Sequence, residues 1–294
     1  MMSRDFSNLQ TVAVVTDSVA QVPDADAERL GVSIVPFSVH IENEEFLDGV
    51  DLPPRLLYQR MREEKIVPRT SAPSPADYLN VFRSHLNKGI QAIIHLSLSS
   101  KLSSAYNNAC EAAKRACEEF PGRSVVVIDT LLAAIPQGFI VMAAAKKALK
   151  GETLSEILQS VKKSIHQCGL AATLGTLEYL ARGGRIGKAA FLLGSMVKIK
   201  PILTLEEGVV FPIRNVRTEK RALEAIINYV AKKLQGHKNF QVAILEADDA
   251  ERALVLRDLV LEKLNPAKII QTEFTPVMGV HTGPGLVGLA YFHD

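Results

Sequence analysis

Hydroxyl side chains are concentrated at positions that the sequence predicts to be loops or helix starts. Hydroxyl groups, together with the backbone N–H groups at a helix N-terminus, can hold a carboxylate or a phosphate without a full countercharge. Ser and Thr also favour turns and helix N-caps for local reasons, so part of this set is structural. We expect several of the others to converge on one anion. The set comprises Thr16, Ser18, Thr70, Ser71, Ser74, Ser97, Ser99, Ser100, Ser103, Ser104, Thr130 and Thr282.

Two further residues, Arg185 and His281, could act on an anion or on a substrate. Arg185 follows two glycines, so its backbone can adopt an unusual conformation next to a ligand, but a surface turn with a solvated arginine has the same pattern. His281 stands in a predicted Gly- and Pro-rich turn and is open to a structural or a reactive interpretation. Spacing alone does not decide between these alternatives.

Several familiar motifs do not fit this sequence. The seven histidines include no pair at the spacing of metal ligands, so we expect no metal site. Residues 283–288 match G-x-G-x-x-G, but a dinucleotide site would need a helix directly afterwards and an acidic residue about 20 positions further on. The sequence contains neither a Walker A motif nor a G-x-S-x-G nucleophile elbow. We therefore expect no bound cofactor.

The composition is that of a globular protein of about two domains. The chain has 294 residues, of which 47% are hydrophobic and 22% are charged, and a domain takes roughly 150 residues. The 34 basic and 32 acidic residues leave a net charge of +2. That balance gives no general attraction to nucleic acid or to an anionic membrane.

Cysteine usage and hydropathy predict a cytoplasmic location. The three cysteines form no C-x-x-C pair, which fits a reducing compartment. The first ten residues include an acid and no long apolar region, so we expect no signal peptide. The longest apolar stretch, Phe139–Ala145, is far short of the ~20 residues of a transmembrane helix.

The first half of the chain alternates predicted strands and helices. Its strands are short, nearly continuous apolar runs, which is typical of a parallel sheet covered on both faces. A polar cluster follows each strand, at the edge where such sheets bind ligands. Strands are predicted at 12–15, 92–96 and 124–128, with helices over 75–88 and 105–118.

The second half has a different pattern, which predicts an α+β domain with a mixed sheet. A β-hairpin with a Gly-containing turn is predicted at 199–213, between helices that begin at the capping box Thr153–Glu156 and at Thr218. Further predicted strands are at 170–174, 242–245, 269–274 and 286–292, with a short helix after Thr176 and another from Asp249. We predict an α/β protein of two domains, at residues 1–160 and 161–294.

The order and separation of several short motifs resemble those of the DegV family over nearly the whole chain. Singly these motifs are weak, but together they are specific. They are Thr16-Asp17-Ser18, Thr70-Ser71-Ala72-Pro73-Ser74, Ser99-Ser100-Lys101-Leu102-Ser103, Ile128-Asp129-Thr130, the segment 177–186, Lys200-Pro201-Ile202-Leu203, Arg217-Thr218 and His281-Thr282-Gly283-Pro284-Gly285.

The resemblance implies a cytoplasmic protein that binds one long-chain fatty acid. In several bacteria such proteins are the acyl-carrying subunit of a fatty acid kinase, whose separate ATP-dependent subunit phosphorylates the carboxylate. The implied head-group residues are Thr70, Arg185, His281 with Thr282, and one serine of the S-S-x-L-S loop. We place that serine role on Ser103, with Ser99 and Ser100 as alternatives.

Two other functions are open alternatives, and a third has no support in the sequence. A serine hydrolase acting on a small ester or acyl substrate would use Ser103 or Ser99 with His281 and Asp17. A relationship to the dihydroxyacetone kinase fold would give His281 a covalent bond to a small carbonyl substrate. A DNA-binding role lacks any basic stripe or helix-turn-helix pattern. For the acyl tunnel, the apolar segments Phe139–Ala145 and Ala189–Val197 are candidates, with plain core as the alternative.

Overall fold

The computed structural model describes residues 11–64, 66–194 and 199–293. The N-terminal half alternates strands with helices, as the apolar runs predict. In chain order its elements are β1 (Val12–Asp17), α1 (Asp24–Leu30), β2 (Ser33–Val35), β3 (Ser38–Ile41), β4 (Glu44–Leu47), α2 (Pro54–Glu63), β5 (Arg69–Ser71), α3 (Pro75–Asn87), β6 (Ala92–Ser97), α4 (Ala105–Glu119), β7 (Ser124–Asp129), α5 (Ile135–Leu149) and α6 (Leu154–Ile165).

The C-terminal half contains the predicted hairpin and four further strands. Its elements are β8 (Cys168–Thr173), α7 (Glu178–Arg182), β9 (Lys200–Glu206), β10 (Val209–Val216), α8 (Glu219–Lys233), β11 (Phe240–Ala247), α9 (Ala250–Lys263), β12 (Lys268–Glu273), α10 (Pro276–Thr282) and β13 (Leu286–His293).

Two large sheets form the framework, and the predicted α/β fold class is confirmed. The N-terminal sheet is parallel, with the strand order β2-β1-β6-β7, and every residue of its two central strands is buried. The C-terminal sheet is mixed, with the order β10-β9-β8-β13-β11-β12. Helices α5 and α6 separate the two sheets in the chain, and the domain limits at residues 1–160 and 161–294 stay a prediction.

The C-terminal sheet packs on two sides, as the alternation of a strand requires. Ala171 and Ile202 belong to the core beneath helices α8 and α9. Their neighbours Leu170, Ala172 and Leu203 face the other way and join one contiguous core with the N-terminal sheet and α5. The binding cavity described below lies on this second side.

The N-terminal half also contains a small third sheet, which the sequence did not predict. Its strand order is β4-β3-β5, and its hairpin turns at Glu42 and Asn43 between the paired residues Ile41 and Glu44. Glu42 adopts a positive φ of 54° without being glycine, so the Asn-Gly signal of a tight hairpin is absent from the sequence. Thr70 lies in β5 of this sheet, and its prediction as a loop residue is wrong.

Candidate functional site

A cavity of about 390 Å³, here called the central cavity, lies between the two halves of the chain. Its volume is within the range of ligand pockets, which is roughly 300–1,000 Å³. Its wall is mainly aliphatic and comes from the C-terminal sheet, from segments that follow the strands of the N-terminal sheet, and from α10. The apolar lining residues are Val19, Phe37, Ala72, Leu98, Leu102, Ala133, Ala134, Leu170, Ala172, Leu174, Leu180, Leu203, Leu205, Val210, Phe274, Val277, Met278 and Leu286.

The polar lining residues include no acid. Arg185 is the only Lys or Arg, and the rest are hydroxyl residues and His281, within the described part of the chain. Ser71 and Ser104 are exposed, whereas Leu170, Leu203 and Leu286 are buried. The end of the cavity near Ser71 and Ser104 therefore reaches solvent, whereas the part lined by Leu170, Leu203 and Leu286 is enclosed. The polar lining residues are Thr70, Ser71, Ser103, Ser104, Arg185, Thr204, His281 and Thr282.

Thr70 is positioned by the small third sheet and contacts His281. Its backbone pairs with Val39 of β3, which fixes the side chain at the rim of the cavity. The distance from Thr70 Oγ1 to His281 Nε2 is 2.8 Å, although the two residues are 211 positions apart in the chain. The structure thus brings together two of the residues that the sequence singled out.

His281 lies in the last turn of α10, so its prediction as a turn residue is wrong. The first turn of this helix is held by Asp48, whose Oδ1 accepts a hydrogen bond of 2.9 Å from Val277 N. The helix ends at Gly283, where a positive φ of 68° and the adjacent ring of Tyr179 leave no room for a side chain. These contacts fix the imidazole at the cavity.

The His281 imidazole is neutral, and its environment favours one tautomer. Burial, followed by the nearby charge of Arg185, lowers the pKa of His281 to about 4. Nδ1 is buried without a hydrogen-bond partner, against the Cα of Gly183. A buried N–H without an acceptor is less well tolerated than a bare lone pair, so the hydrogen is placed on Nε2. Thr70 Oγ1 then accepts from His281, and its own hydroxyl hydrogen is available to a ligand.

Ser103 and Arg185 complete the polar end of the cavity. Arg185 Nε donates to the carbonyl of Leu102 at 2.9 Å, and Nη1 donates to the carbonyl of Gly183. The arginine therefore joins the loop before α4 to the loop after α7. Ser103 Oγ accepts from Ala105 N at 3.2 Å, a contact that leaves its hydroxyl hydrogen for another acceptor. The N-terminus of α4 adds a favourable dipole for an anion.

The other predicted head-group residues are engaged in hydrogen bonds within the protein. Ser99 is fully buried and donates to the carbonyl of Gly208 at 2.8 Å, while the backbone N–H of Ser100 donates to Asp129 Oδ1. Neither serine lines the central cavity. Thr282 does line it, but its hydroxyl donates to the Met278 carbonyl within α10. We leave Ser99 and Ser100 out of the site proposed below.

Much of the hydroxyl set is structural, in keeping with the preference of Ser and Thr for turns and helix caps. Five of its twelve members line the cavity, namely Thr70, Ser71, Ser103, Ser104 and Thr282. Ser74 caps α3 through Asp77, as predicted. Thr16 and Thr130 donate to carbonyl groups of β6. Local hydrogen bonding therefore explains many of these residues.

The catalytic arrangements considered from the sequence are not assembled among the described residues. His281 Nε2 contacts a threonine, and its buried Nδ1 has no carboxylate partner. Asp17 is fully buried and bonds to Leu98 N and to the side chain of Gln137, and burial raises its pKa to about 7. A Ser–His–acid relay needs a contact between the imidazole and the acid. Both His281 nitrogens are occupied or covered, so neither is placed to attack a carbonyl carbon.

The described residues of the two segments considered for an acyl tunnel do not line the central cavity. Phe139–Ala145 lies in α5 and packs in the core, where Phe139 contacts the ring of Phe292. Of Ala189–Val197, residues 195–197 lie outside the described residues, and Ala189 and Leu192 are buried in the core.

The residues that form the aliphatic wall were not predicted from the sequence. Leu170, Ala172 and Leu174 alternate along and beyond β8 towards the cavity, and Leu203 and Leu205 do the same in β9. The period of two was readable, but an apolar strand face next to a cavity has the same pattern as one next to packed core. No residue type distinguishes the two cases.

Two kinds of feature, a membrane-spanning helix and a metal site, are not found in the part of the chain that the structure describes. No helix there is both long and apolar enough to cross a lipid bilayer. The same residues contain no group of three or more His, Cys, Asp or Glu side chains arranged to hold a metal ion.

Comparison with known proteins finds relatives that match nearly the whole chain. Residues 11–294 match the model of the DegV family, which is described as an uncharacterised protein family. A DegV domain-containing protein of Clostridium perfringens is 34% identical over 285 residues, which cover 96% of this chain and 99% of that protein.

Solved structures share the fold closely. A DegV family protein of Thermus thermophilus, described as fatty acid binding, is 33% identical with a TM-score of 0.90, covering 97% of this chain and all of that one. A stearic acid-binding protein of Eubacterium ventriosum is 26% identical with a TM-score of 0.88, covering 96% and 98% of the two chains. The family match and these relatives, together with the motifs around the central cavity, show that the chain belongs to the DegV family.

Proposed function

We propose that this protein binds one long-chain fatty acid in the central cavity, with the alkyl chain inside and the carboxylate at the polar end. The observation that carries this proposal is the asymmetry of one continuous cavity. Among the described residues, its enclosed part is aliphatic, and its solvent-reaching part has hydroxyl groups, one guanidinium and no acid. A molecule with a long apolar tail and a single anionic end matches both parts.

The carboxylate is held by Thr70, Ser103, Arg185 and His281. Thr70 and Ser103 donate hydroxyl hydrogens, Arg185 supplies the positive charge, and neutral His281 orients Thr70. Hydrogen bonds from neutral donors each contribute only about 1 kcal/mol net, so this set orients the carboxylate and lets it be released. The fatty acids bound by the Thermus and Eubacterium relatives support the same ligand class.

We further propose that the bound carboxylate is the substrate of a separate ATP-dependent kinase subunit. In that reaction a carboxylate oxygen attacks the γ-phosphorus of ATP, the bond to the β-phosphate oxygen breaks, and acyl phosphate and ADP form. The exposed Ser71 and Ser104 at the polar end support this role, because a partner can approach there while the tail stays enclosed.

A ligand labelled at its carboxyl carbon tests the head-group assignment. The protein is depleted of lipid, loaded with fatty acid carrying ¹³C at the carboxyl carbon, and observed by NMR. We expect one bound carboxylate signal in the wild type, displaced in Thr70→Val and unchanged in Ser71→Ala. A signal that neither substitution moves would contradict the assignment.

A kinase assay tests the carrier role separately. ADP formation by an isolated fatty acid kinase subunit should depend on the loaded protein and should not occur with free fatty acid alone. Equal rates with and without this protein would contradict the carrier role and leave fatty-acid binding intact.

A further inference from the structure

A second cavity of about 510 Å³ adjoins the central cavity. The two share Thr204 and Leu205 of β9. Two further segments, residues 130–134 and 168–172, contain residues that line one cavity next to residues that line the other. None of the proposed head-group residues lines the second cavity, so the junction of the two cavities at Thr204 and Leu205 lies outside the head-group set.

The second cavity differs from the central one in chemistry. Glu206, Glu207, His166 and Lys233 are among its lining residues, and the two glutamates are exposed. It is therefore a wet space that reaches solvent. An alkyl chain gains free energy on leaving water for an apolar wall, and the charged and exposed residues of this lining make that gain smaller than in the central cavity.

The boundary between the cavities coincides with an interruption in the C-terminal sheet. Strands β8 and β9 pair only at Ala172 with Leu203 and at Thr173 with Ile202. Beyond these pairs the strands diverge, and we call the opening between residues 168–171 and 204–206 the β8–β9 split. A gap in a sheet leaves backbone groups without ladder partners, so some other contact must close it.

Thr204 supplies that contact. Its Oγ1 donates to the carbonyl of Leu170 at 2.7 Å, and the residue is only 5% exposed. The side chain thus bridges the two strands where the backbone ladder has ended. Leu170, which accepts this hydrogen bond from β8, lines the central cavity.

We infer that Thr204 is the end wall of the acyl site and sets the longest alkyl chain that the protein accepts. This inference rests on the proposed fatty-acid binding. Each methylene buried in the central cavity strengthens binding by about fourfold. A methylene that would have to pass the β8–β9 split gains nothing while the Thr204–Leu170 bridge is closed, so affinity stops rising at one chain length.

Competition between acids of graded length tests this inference. The full-length protein, depleted of lipid, is incubated with an equimolar mixture of saturated fatty acids, each two carbons longer than the last, and bound acids are extracted and quantified by mass spectrometry. We expect the wild type to show a sharp upper cut-off. Thr204→Ala should move it by at least two carbons, enriching the longer acid on the order of tenfold.

Two further substitutions separate the hydrogen bond from the bulk of the side chain. Thr204→Ser keeps the hydroxyl and should keep the cut-off. Thr204→Val keeps the shape, removes the bond to Leu170 and should relax the cut-off by less than alanine does. This pair keeps the test available if Thr204→Ala does not fold.

Ile202→Val is the matched control, because Ile202 lies in the same strand, faces α8 and α9, and lines neither cavity. An unchanged cut-off in both Thr204→Ala and Thr204→Val would overturn the inference, and so would an equal shift in Ile202→Val. If the wild type takes up no acid of any length, the proposed function fails with it. If the wild type takes up acids but the variants share its cut-off, only the end wall is refuted.

Discussion

The two ends of the central cavity are built by different kinds of structure. The polar end combines short or irregular elements that are remote in sequence: a three-residue strand with Thr70, the loop before α4 with Ser103, the loop after α7 with Arg185, and a seven-residue helix with His281. The aliphatic part includes a regular wall formed by β8 and β9, on which Leu170, Ala172, Leu203 and Leu205 line the cavity.

This difference separates affinity from orientation. Burial of about 16 carbons at roughly 0.8 kcal/mol each gives a gross driving force on the order of 12 kcal/mol, before the costs of association are subtracted. Neutral hydrogen bonds at the polar end contribute about 1 kcal/mol each. A fatty acid is thus retained by its tail and directed by its head group. The following predictions rank substitutions by how strongly they should disturb either end.

The largest effect on binding should come from filling the aliphatic part. Ala133 is buried and lines the cavity, so Ala133→Phe places an aromatic ring where about four methylenes of ligand would lie. We expect affinity to fall roughly 200-fold, as measured by displacement of a fluorescent fatty acid. Ala143→Phe, on α5 outside the central cavity, is the control and should bind normally. Equal binding by both variants would show that the ligand does not occupy this volume.

The next prediction concerns how folding stability depends on pH through His281 at the polar end. The folded pKa of His281 is lowered to about 4 and its unfolded value is about 6.5, so unfolding takes up a proton between these values. The stability that neutral His281 provides is complete above pH 6.5 and declines as the pH falls towards 4. At pH 5 the ligand-free wild type should have lost about 2 kcal/mol more than His281→Gln, relative to pH 7.5. Urea unfolding at both pH values measures this difference, and parallel losses would contradict a neutral His281.

Loss of the positive charge should weaken head-group binding selectively. Arg185→Gln removes a charge-assisted interaction, and we expect about tenfold weaker binding of a fatty acid with little change for the matching fatty alcohol. Arg182→Gln, an exposed neighbour paired with Glu178, is the control. A similar loss for acid and alcohol would indicate that Arg185 acts only through its bonds to Leu102 and Gly183.

The smallest effect should come from a single hydroxyl group. Thr70→Val preserves shape and removes one hydrogen bond, so we expect affinity to fall about fivefold, with Ser103→Ala similar. Ser71→Ala should change little, because Ser71 Oγ is engaged with His40 Nε2. Calorimetric titration of the three variants decides the ranking, and equal effects would refute this assignment of the donors.

Regular elements were predictable from the sequence because their signals are local. The capping box of Thr153 and Glu156 and the cap at Ser74 start helices as predicted, and the hairpin of β9 and β10 forms around Gly208. The small third sheet was missed because its turn at Glu42 has no glycine and its strands have only three or four residues.

Within the candidate site, several residues could be predicted from the sequence, whereas their spatial arrangement could not. The family resemblance singled out Thr70, Ser103, Arg185 and His281, which all line one cavity. It could not tell Ser103 from Ser99, because only the fold shows that Ser99 turns towards Gly208. The aliphatic wall and the bridge at Thr204 depend on how two strands diverge, which is a property of tertiary packing.

Denaturing extraction of the purified protein, followed by mass spectrometry, tests the central claim most directly. The account predicts close to one long-chain fatty acid released per chain, or taken up by a delipidated sample, and greatly reduced occupancy in Ala133→Phe. A folded protein that neither carries nor takes up such an acid would contradict it.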